Sequence, residues 1–446
     1  MLNIEPARLI AAAGLFFLYA SLCAWAWRRA RAARLAASLL DGAAWTVVYA
    51  SQTGAAESLA RQAAAALAQT GEVACLPLDR LDAERLQGGG RFLFIVSTHG
   101  QGEAPDNGRY FARQVLGRAI DLSQLEFGLL ALGDSHYPDF CAFGRRLAGW
   151  LVQQGARAGF APIEVDRLDA QALANWRRHL VELLGAEEIE FDDACAFLPW
   201  RLVHRRHLNP GSQGGEVHEL RFSPVGHEAD WQSGDLALLR HPSGDEVARE
   251  YSIASLPGEG GLSLLVRRCV RDDGSVGVLS GWLTGDLPLG GEVSLAIRAH
   301  RAFRLEDNLA RPAIFVGNGV GLAGLRGHLA ARIAHGNGDN WLLFGERNAA
   351  NDYHWRDELL RWQALGQIRH LDTVFSRDGE TMRYVQEKLA VESARLRVWL
   401  ERGAAIYVCG SRQGMGEGVE AVLRDILGEN ALAELALSGA YRRDVF

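Results

Sequence analysis

Seven consecutive residues, Arg249-Glu250-Tyr251-Ser252-Ile253-Ala254-Ser255, put charges, an aromatic ring and two hydroxyls where the sequence texture reads as a strand. Side chains alternate along a strand, so Arg249 and Tyr251 share one face and Glu250 and Ser252 the other. A guanidinium beside a flat ring suits a ligand that carries both a pyrophosphate and a planar ring system, because Arg forks onto phosphate oxygens. The same residues also suit an ordinary sheet strand with a charged edge. Their surroundings decide between the two.

Four other stretches carry chemistry of a related kind. Trp45–Ala50 is a short apolar run that opens into Ser51-Gln52-Thr53-Gly54 and an alanine-rich helix. Such a turn can cradle a phosphate with backbone N–H groups, hydroxyls and a helix dipole, or can be a plain β–α turn with an N-cap. Phe92–Val96 opens into Ser97-Thr98-His99-Gly100-Gln101-Gly102, and Phe127–Leu132 into Gly133-Asp134-Ser135-His136-Tyr137-Pro138-Asp139-Phe140-Cys141. Ala313–Val316 runs into Gly317-Asn318-Gly319-Val320-Gly321, a turn compatible with close backbone approach to a pyrophosphate.

Three kinds of element must position these residues. Over about 43–187 short apolar runs alternate with helical patterns, which predicts a doubly wound parallel sheet whose ligands lie at the carboxyl ends of its strands. From Trp200 the texture changes to short strands separated by Gly, Pro and Asp, which predicts a small antiparallel barrel to about residue 305. Residues 188–199, mixed acidic and apolar, read as a linker. Alternation of strands and helices returns over 310–446.

Ahead of these lies Leu9–Trp27, nineteen residues without a charge, followed by Arg28, Arg29, Arg31 and Arg34. At 1.5 Å per residue the run spans about 28 Å of helix, close to a bilayer's hydrocarbon thickness. A cleaved signal peptide or a buried helix are the alternatives. The trailing arginines predict a single-pass anchor (1–36) with the rest of the chain on the cytoplasmic side of the inner membrane. Beyond the arginine-rich start the body is acidic, net charge being −7 overall, with no basic stripe, which argues against nucleic acid as a partner. Six scattered cysteines without a C-x-x-C pair argue against a disulfide framework or a structural zinc site.

In this order the motifs over about 43–446 resemble the diflavin reductase family, in its sulfite reductase flavoprotein and cytochrome P450 reductase branches. The resemblance implies a multidomain α/β and β protein. Its parts would be a flavodoxin-like FMN domain (43–187), an FAD-binding β-barrel (200–305) and a ferredoxin-reductase-like NADP-binding domain (310–446). By that resemblance Ser51, Gln52, Thr53 and Gly54 hold the FMN phosphate. Ser97, Thr98, Gly100, Gly102, Gly133, Asp134 and Phe140 border its ring, with Tyr137 stacked on it and His99 on the far side. Arg249 would take the FAD pyrophosphate, Tyr251 its ring and Ser252 the region of N5. Gly277, Val278, Leu279 and Ser280 would cap the FAD phosphates.

In the last domain Gly317, Gly319 and Gly321 would approach the nucleotide. Ser376 and Arg377 would read the 2′-phosphate of NADPH, with Arg383 standing in for a family lysine replaced by Met382, and Tyr384 and Gln386 would also border the nucleotide. Cys409, otherwise readable as a small core residue, and Asp444 would join Ser252 in catalysis, with Phe446 covering the FAD ring. Electrons would run from NADPH through FAD and FMN to a haem or iron protein acceptor. A ferric-chelate or other membrane-proximal acceptor, and a non-catalytic flavin scaffold, are the rival readings. The chain departs from the family pattern at Val320, Gly324 and Met382. Only Arg240–Ala248 stands where the longer relatives carry a helical connecting domain, so the placement of the two flavin domains cannot be inherited from them.

Overall fold

The computed structural model describes residues 44–69, 71–184, 196–243, 248–271, 273–378 and 382–446. The expected anchor and residues 188–195 of the expected linker lie outside the described residues. Among the described residues no helix is long and apolar enough to cross a membrane.

The first unit is built from β1 (Trp45–Ala50), α1 (Ala55–Leu67), β2 (Val73–Pro77), α2 (Ala83–Gln87), β3 (Gly90–Ser97) and α3 (Arg109–Gln114). It is completed by β4 (Leu125–Gly133), α4 (Ala142–Gln153), β5 (Arg157–Ala158), β6 (Ile163–Asp166) and α5 (Ala170–Leu184). The sheet is parallel throughout, in the order β2-β1-β3-β4-β5, with β6 also paired to β4. The period of two explains its two cores. Val48, Phe94 and Val96 point into one cluster with α3 and α4, while Val47, Tyr49 and Ile95 point into the other with α1 and α5. Strand order reverses direction between β1 and β3, so the loops after β1, β3 and β4 gather at one switch point.

The second unit comprises β7 (Leu198–His207), β8 (Val217–Pro224), β9 (Leu236–Arg240), β10 (Arg249–Ser252), β11 (Leu262–Arg267), the single turn α6 (Val278–Gly281) and β12 (Glu292–Arg298). Its strands pair antiparallel in the order β10-β9-β12-β7-β8-β11. An isolated bridge between Ile253 and Leu264 joins the chain just after β10 to β11, linking the two ends of that order. Strand β7 begins at Leu198, within the stretch expected to be linker, because Leu198 and Pro199 pair with Leu295 and Ser294 of β12. Inward side chains such as Trp200, Phe222, Leu239, Ile253 and Leu264 form one core.

The third unit comprises β13 (Ala313–Asn318), α7 (Leu322–Ala334), β14 (Asn340–Glu346), α8 (Ala349–Asp352), α9 (Arg356–Ala364) and β15 (His370–Phe375). It continues with α10 (Val385–Val391), α11 (Ser393–Glu401), β16 (Ala405–Gly410), α12 (Glu417–Leu427), α13 (Glu429–Leu437) and β17 (Tyr441–Val445). All five strands are parallel, in the order β15-β14-β13-β16-β17, and alternate residues again feed two cores.

Segment His300–Leu305 ties the second unit to the third. Arg304 forks onto the buried carboxylate of Asp235 at 2.6 and 2.7 Å, and the backbone N–H of His300 donates to the same group at 3.0 Å. Arg326 of α7 adds a second tie, reaching Glu259, Glu358 and the Ala254 carbonyl.

Candidate active site

Three loops converge at the carboxyl end of the first sheet. Ser51 and Gln52 are buried, and the backbone N–H of Ser51 donates to Asn107 Oδ1 at 2.8 Å. Ser51 Oγ accepts from the Ala56 N–H at the start of α1. Gly54 has φ +84°, a left-handed conformation; a Cβ there would also lie 2.7 Å from the Ala299 carbonyl oxygen. In the second loop Ser97 Oγ donates to the Ala50 carbonyl, Thr98 Oγ1 accepts from the Phe143 N–H, and Gly100 and Gly102 both have positive φ. In the third, Asp134 Oδ1 accepts from the His136 backbone, and Gly133 lets Phe140 and Cys141 fold back over it. Tyr137 is left 59% exposed at the rim.

His99 has a buried Nε2 without a partner, and burial pushes its imidazole down to about 4, so it is neutral near pH 7. An orphaned ring nitrogen on one side and an exposed phenol ring on the other fit a planar ligand with polar edges. Across the second loop, the Arg412 guanidinium lies over Gly100 and donates to Glu103 at 3.1 Å.

The second site lies where three elements far apart in sequence meet. Ser252 Oγ, at the end of β10, donates to Asp444 Oδ2 at 2.8 Å. Cys409 Sγ, at the end of β16, is 3.8 Å from the same oxygen. Register explains the meeting, since β17 pairs with β16 so that Asp444 stands beside Cys409. Cys409 and Asp444 are buried; burial first, and the Asp444 carboxylate second, push the thiol well above its ordinary value. Cys409 is therefore a neutral thiol at neutral pH, not a thiolate.

Around this cluster the remaining expected residues fall on the second and third units. Arg249 is exposed, Tyr251 half-buried, and Gly277 N-caps α6. Val278 is exposed and Leu279 buried; Ser280 Oγ accepts from the Cys269 N–H and donates to the Gly277 carbonyl. Gly319 has a positive φ, while Gly317 and Gly321 have their α-carbons against the Cys409 carbonyl, where no Cβ has room. The glycine turn after β13 therefore also serves strand-to-turn packing. Ser376 is half-buried and Arg377 exposed at the end of β15; Arg383 and Tyr384 are exposed before α10. Gln386 has a buried Oε1 without a partner. Phe446 is 61% exposed, its backbone held to Gly410 and Arg412.

Several residues that local patterns do not reveal join the two sites. Arg298, buried at the end of β12, donates from Nε to the Thr53 carbonyl at 3.0 Å and from Nη2 to the Thr53 hydroxyl at 3.1 Å. It also pairs with Glu250 at 2.5 Å. His300 Nε2 donates to the Gln52 carbonyl at 2.9 Å. Glu250 thus links the opening strand to the phosphate-type turn of the first unit. The His300 ring thus reaches across to the first unit.

The comparisons with known proteins agree with this architecture. Residues 47–179 match the family model for flavodoxin. A sulfite reductase [NADPH] flavoprotein alpha-component of Neisseria meningitidis serogroup C (strain 053442) is 26% identical, covering 90% of this chain and 89% of that protein. Along nearly its whole length the chain is similar to this flavoprotein. Proteins of the same name from Bacillus subtilis (strain 168) and Thiocapsa roseopersicina are 25% and 28% identical, over 90% and 85% of this chain and 89% and 83% of theirs. The Neisseria alignment runs over 542 positions, more than the 446 residues of this chain, so that relative carries residues that this chain lacks. The Thiocapsa alignment runs over 447. In this chain the first unit packs directly on β12 and its following segment, and the short Arg240–Ala248 connection is consistent with that compactness.

Proposed function

We propose that the chain is an NADPH-dependent diflavin reductase that passes electrons through FAD and FMN to a haem-containing acceptor of the sulfite-reductase type. When bound, NADPH and the two flavins supply the redox chemistry, electrons entering in a pair and leaving singly. The observation that carries the reading is the Ser252–Asp444–Cys409 cluster, a hydroxyl, a carboxylate and a neutral thiol assembled from three elements in a buried corner.

Each residue has a distinct task there. Asp444 fixes the Ser252 hydroxyl and presents a negative charge to the positive charge of an oxidised nicotinamide. Cys409 fills the space beside it without adding charge. Phe446, exposed next to Gly410, offers a ring face to a flavin and can give way to a second ring. Arg249 and the N-terminus of α6 are suited to a pyrophosphate. Arg377, Arg383 and Ser376 are suited to a phosphate monoester, which favours NADPH over NADH. In the first unit the Ser51–Gly54 turn would hold the FMN phosphate, with His99 and Tyr137 flanking the ring.

Gly324 argues against decay into a non-catalytic scaffold. It lies inside α7, where a Cβ would sit 3.3 Å from Cys409 Sγ and 3.4 Å from Ser252 Cβ. A small residue there makes room for the cluster. The six antiparallel strands would act as the FAD-binding barrel, and Leu9–Trp27 as a membrane anchor with the body cytoplasmic. Such an anchor favours a membrane-proximal acceptor, a ferric chelate or cytochrome being the second reading.

The test is the full chain purified with its flavins. Equimolar FAD and FMN, reduction by NADPH in preference to NADH, and electron delivery to a sulfite reductase haemoprotein are expected. Absence of either flavin would refute the assignment, and delivery only to ferric chelates would move it to the second acceptor.

A further inference from the structure

Strand β17 has two working faces. Arg442 and Asp444 point toward the second unit. Arg442 donates to the carbonyls of Arg301 at 2.9 Å and Arg304 at 2.6 Å, and Asp444 accepts from Ser252. On the opposite face Tyr441 and Val445 pack in the core with Val419 and Leu423 of α12. Between them Arg443, itself buried, reaches into the first unit. Its guanidinium forks onto Asp106, with Nε donating to Oδ2 at 3.1 Å and Nη2 to Oδ1, while Nη1 donates to Glu420 of α12.

Asp106 leads directly to the phosphate-type turn. Its backbone N–H donates to Gln52 Oε1 at 3.1 Å, and Gln52 Nε2 donates back to Asp106 Oδ2 at 3.2 Å. Arg109 closes a ring of alternating charge, standing 3.3 Å from Asp106 and 3.1 Å from Glu420. Burial raises both carboxyls, but the two guanidiniums outweigh it and hold Asp106 and Glu420 below the ordinary carboxylate range.

The partition of this ring matters. The first unit contributes one acid and one base, Asp106 and Arg109; the third contributes Glu420 and Arg443. If the two units separate, each half keeps an internal ion pair, so opening strands no buried lone charge. A buried pair split by separation would oppose opening far more strongly. The arrangement suits a contact made and broken repeatedly.

We infer that Arg443 is a positioning residue: it docks the Gln52 turn of the first unit onto the strand that carries Asp444. Resting on the two-flavin reading above, this makes the FMN site and the Ser252–Cys409–Asp444 corner parts of one docked unit. Electron transfer between two bound flavins falls steeply with their separation, so the docked fraction sets the rate of the FAD-to-FMN step. Reduction of FAD by NADPH, which needs only the second and third units, does not depend on it.

The experiment uses the full flavin-loaded chain and two readouts. Hydrogen–deuterium exchange reports docking through the amides of residues 51–56 and 106–109. Anaerobic stopped-flow mixing with NADPH separates FAD bleaching from FMN bleaching. Arg443→Gln is expected to raise exchange in both segments and to slow FMN bleaching about tenfold, with FAD bleaching within about twofold of the parent. Asp106→Asn, on the other side of the contact, should do the same, the double variant no more than either single, and Arg443→Lys less. Unchanged exchange and unchanged FMN bleaching in both single variants would overturn the inference. So would equal slowing of both steps in Arg443→Gln, which would place the effect on Asp444. If the parent protein bound no second flavin, the two-flavin reading would fail, while exchange would still report whether Arg443 docks the units.

Discussion

The two candidate sites are assembled in opposite ways. The first-unit site is made by three loops at the end of one parallel sheet, all within residues 51–141, and leaves Tyr137 59% exposed. The second is made by Ser252, Cys409 and Asp444, from two units, with Ser252 and Asp444 separated by 192 positions. Its acid and thiol are buried. The first depends on local turn geometry and tolerates solvent; the second exists only if β10, β16 and β17 are packed in register. Perturbing the second should therefore act on chemistry and on domain packing, whereas perturbing the first should act on ligand retention.

The junction between them gives the largest expected effect. Arg298→Gln removes a buried guanidinium that holds Thr53 and pairs with Glu250. It should cost about 3 kcal/mol, measured by chemical denaturation, and release FMN as well. Loss of FMN with no change in unfolding free energy would mean that the junction serves only the ligand.

Next in size is Asp444→Asn, which keeps the shape and removes the charge beside Ser252 and Cys409. NADPH-driven FAD bleaching should slow about a hundredfold, with both flavins retained. Gly54→Ala sharpens the contrast from the other side. At φ +84°, with a Cβ 2.7 Å from the Ala299 carbonyl oxygen, it should destabilise by about 2 kcal/mol. Flavin analysis should show FMN lost and FAD kept.

The smallest effect is on pH dependence. His99 is held down to about 4 by burial, below the ordinary imidazole value of about 6.5. Between these values the unfolded chain binds the proton and the folded chain does not, so stability is full above about pH 6.5 and falls as pH drops toward 4. His99→Gln should flatten that limb by about 1–2 kcal/mol in thermal or denaturant scans of the protein without FMN. A slope unchanged by the substitution would locate the titration elsewhere, the buried His328, pushed down to about 3, being the next group to replace.

How much of this could be read from the sequence follows the same division. Trp45–Ala50 is a strand with the bounds expected of it, because an apolar run closed by turn residues is a local signal. The three loops after β1, β3 and β4 were legible for the same reason. Leu198–Pro199 reads as linker because its pairing with β12 is a long-range choice that a local pattern does not carry. Gly324 shows in the sequence only as a departure from the family pattern, whereas its neighbours in space, Cys409 and Ser252, show why a small residue stands there.

Arg298, His300, Asp106 and Arg443 show the limit most clearly. Each makes its decisive contact with another unit, and the arginines look like any other arginine on a strand. Only the spacing of Arg443 beside Asp444 held a clue. On a strand, the residue before an inward acid must face the other way.

Anaerobic stopped-flow reduction of the flavin-loaded protein shows whether two flavin sites in one chain are fed in sequence from NADPH. FAD should bleach first and FMN second, with Asp444→Asn slowing both because the first step feeds the second. Bleaching of neither flavin by NADPH, or FMN bleaching ahead of FAD, would contradict this.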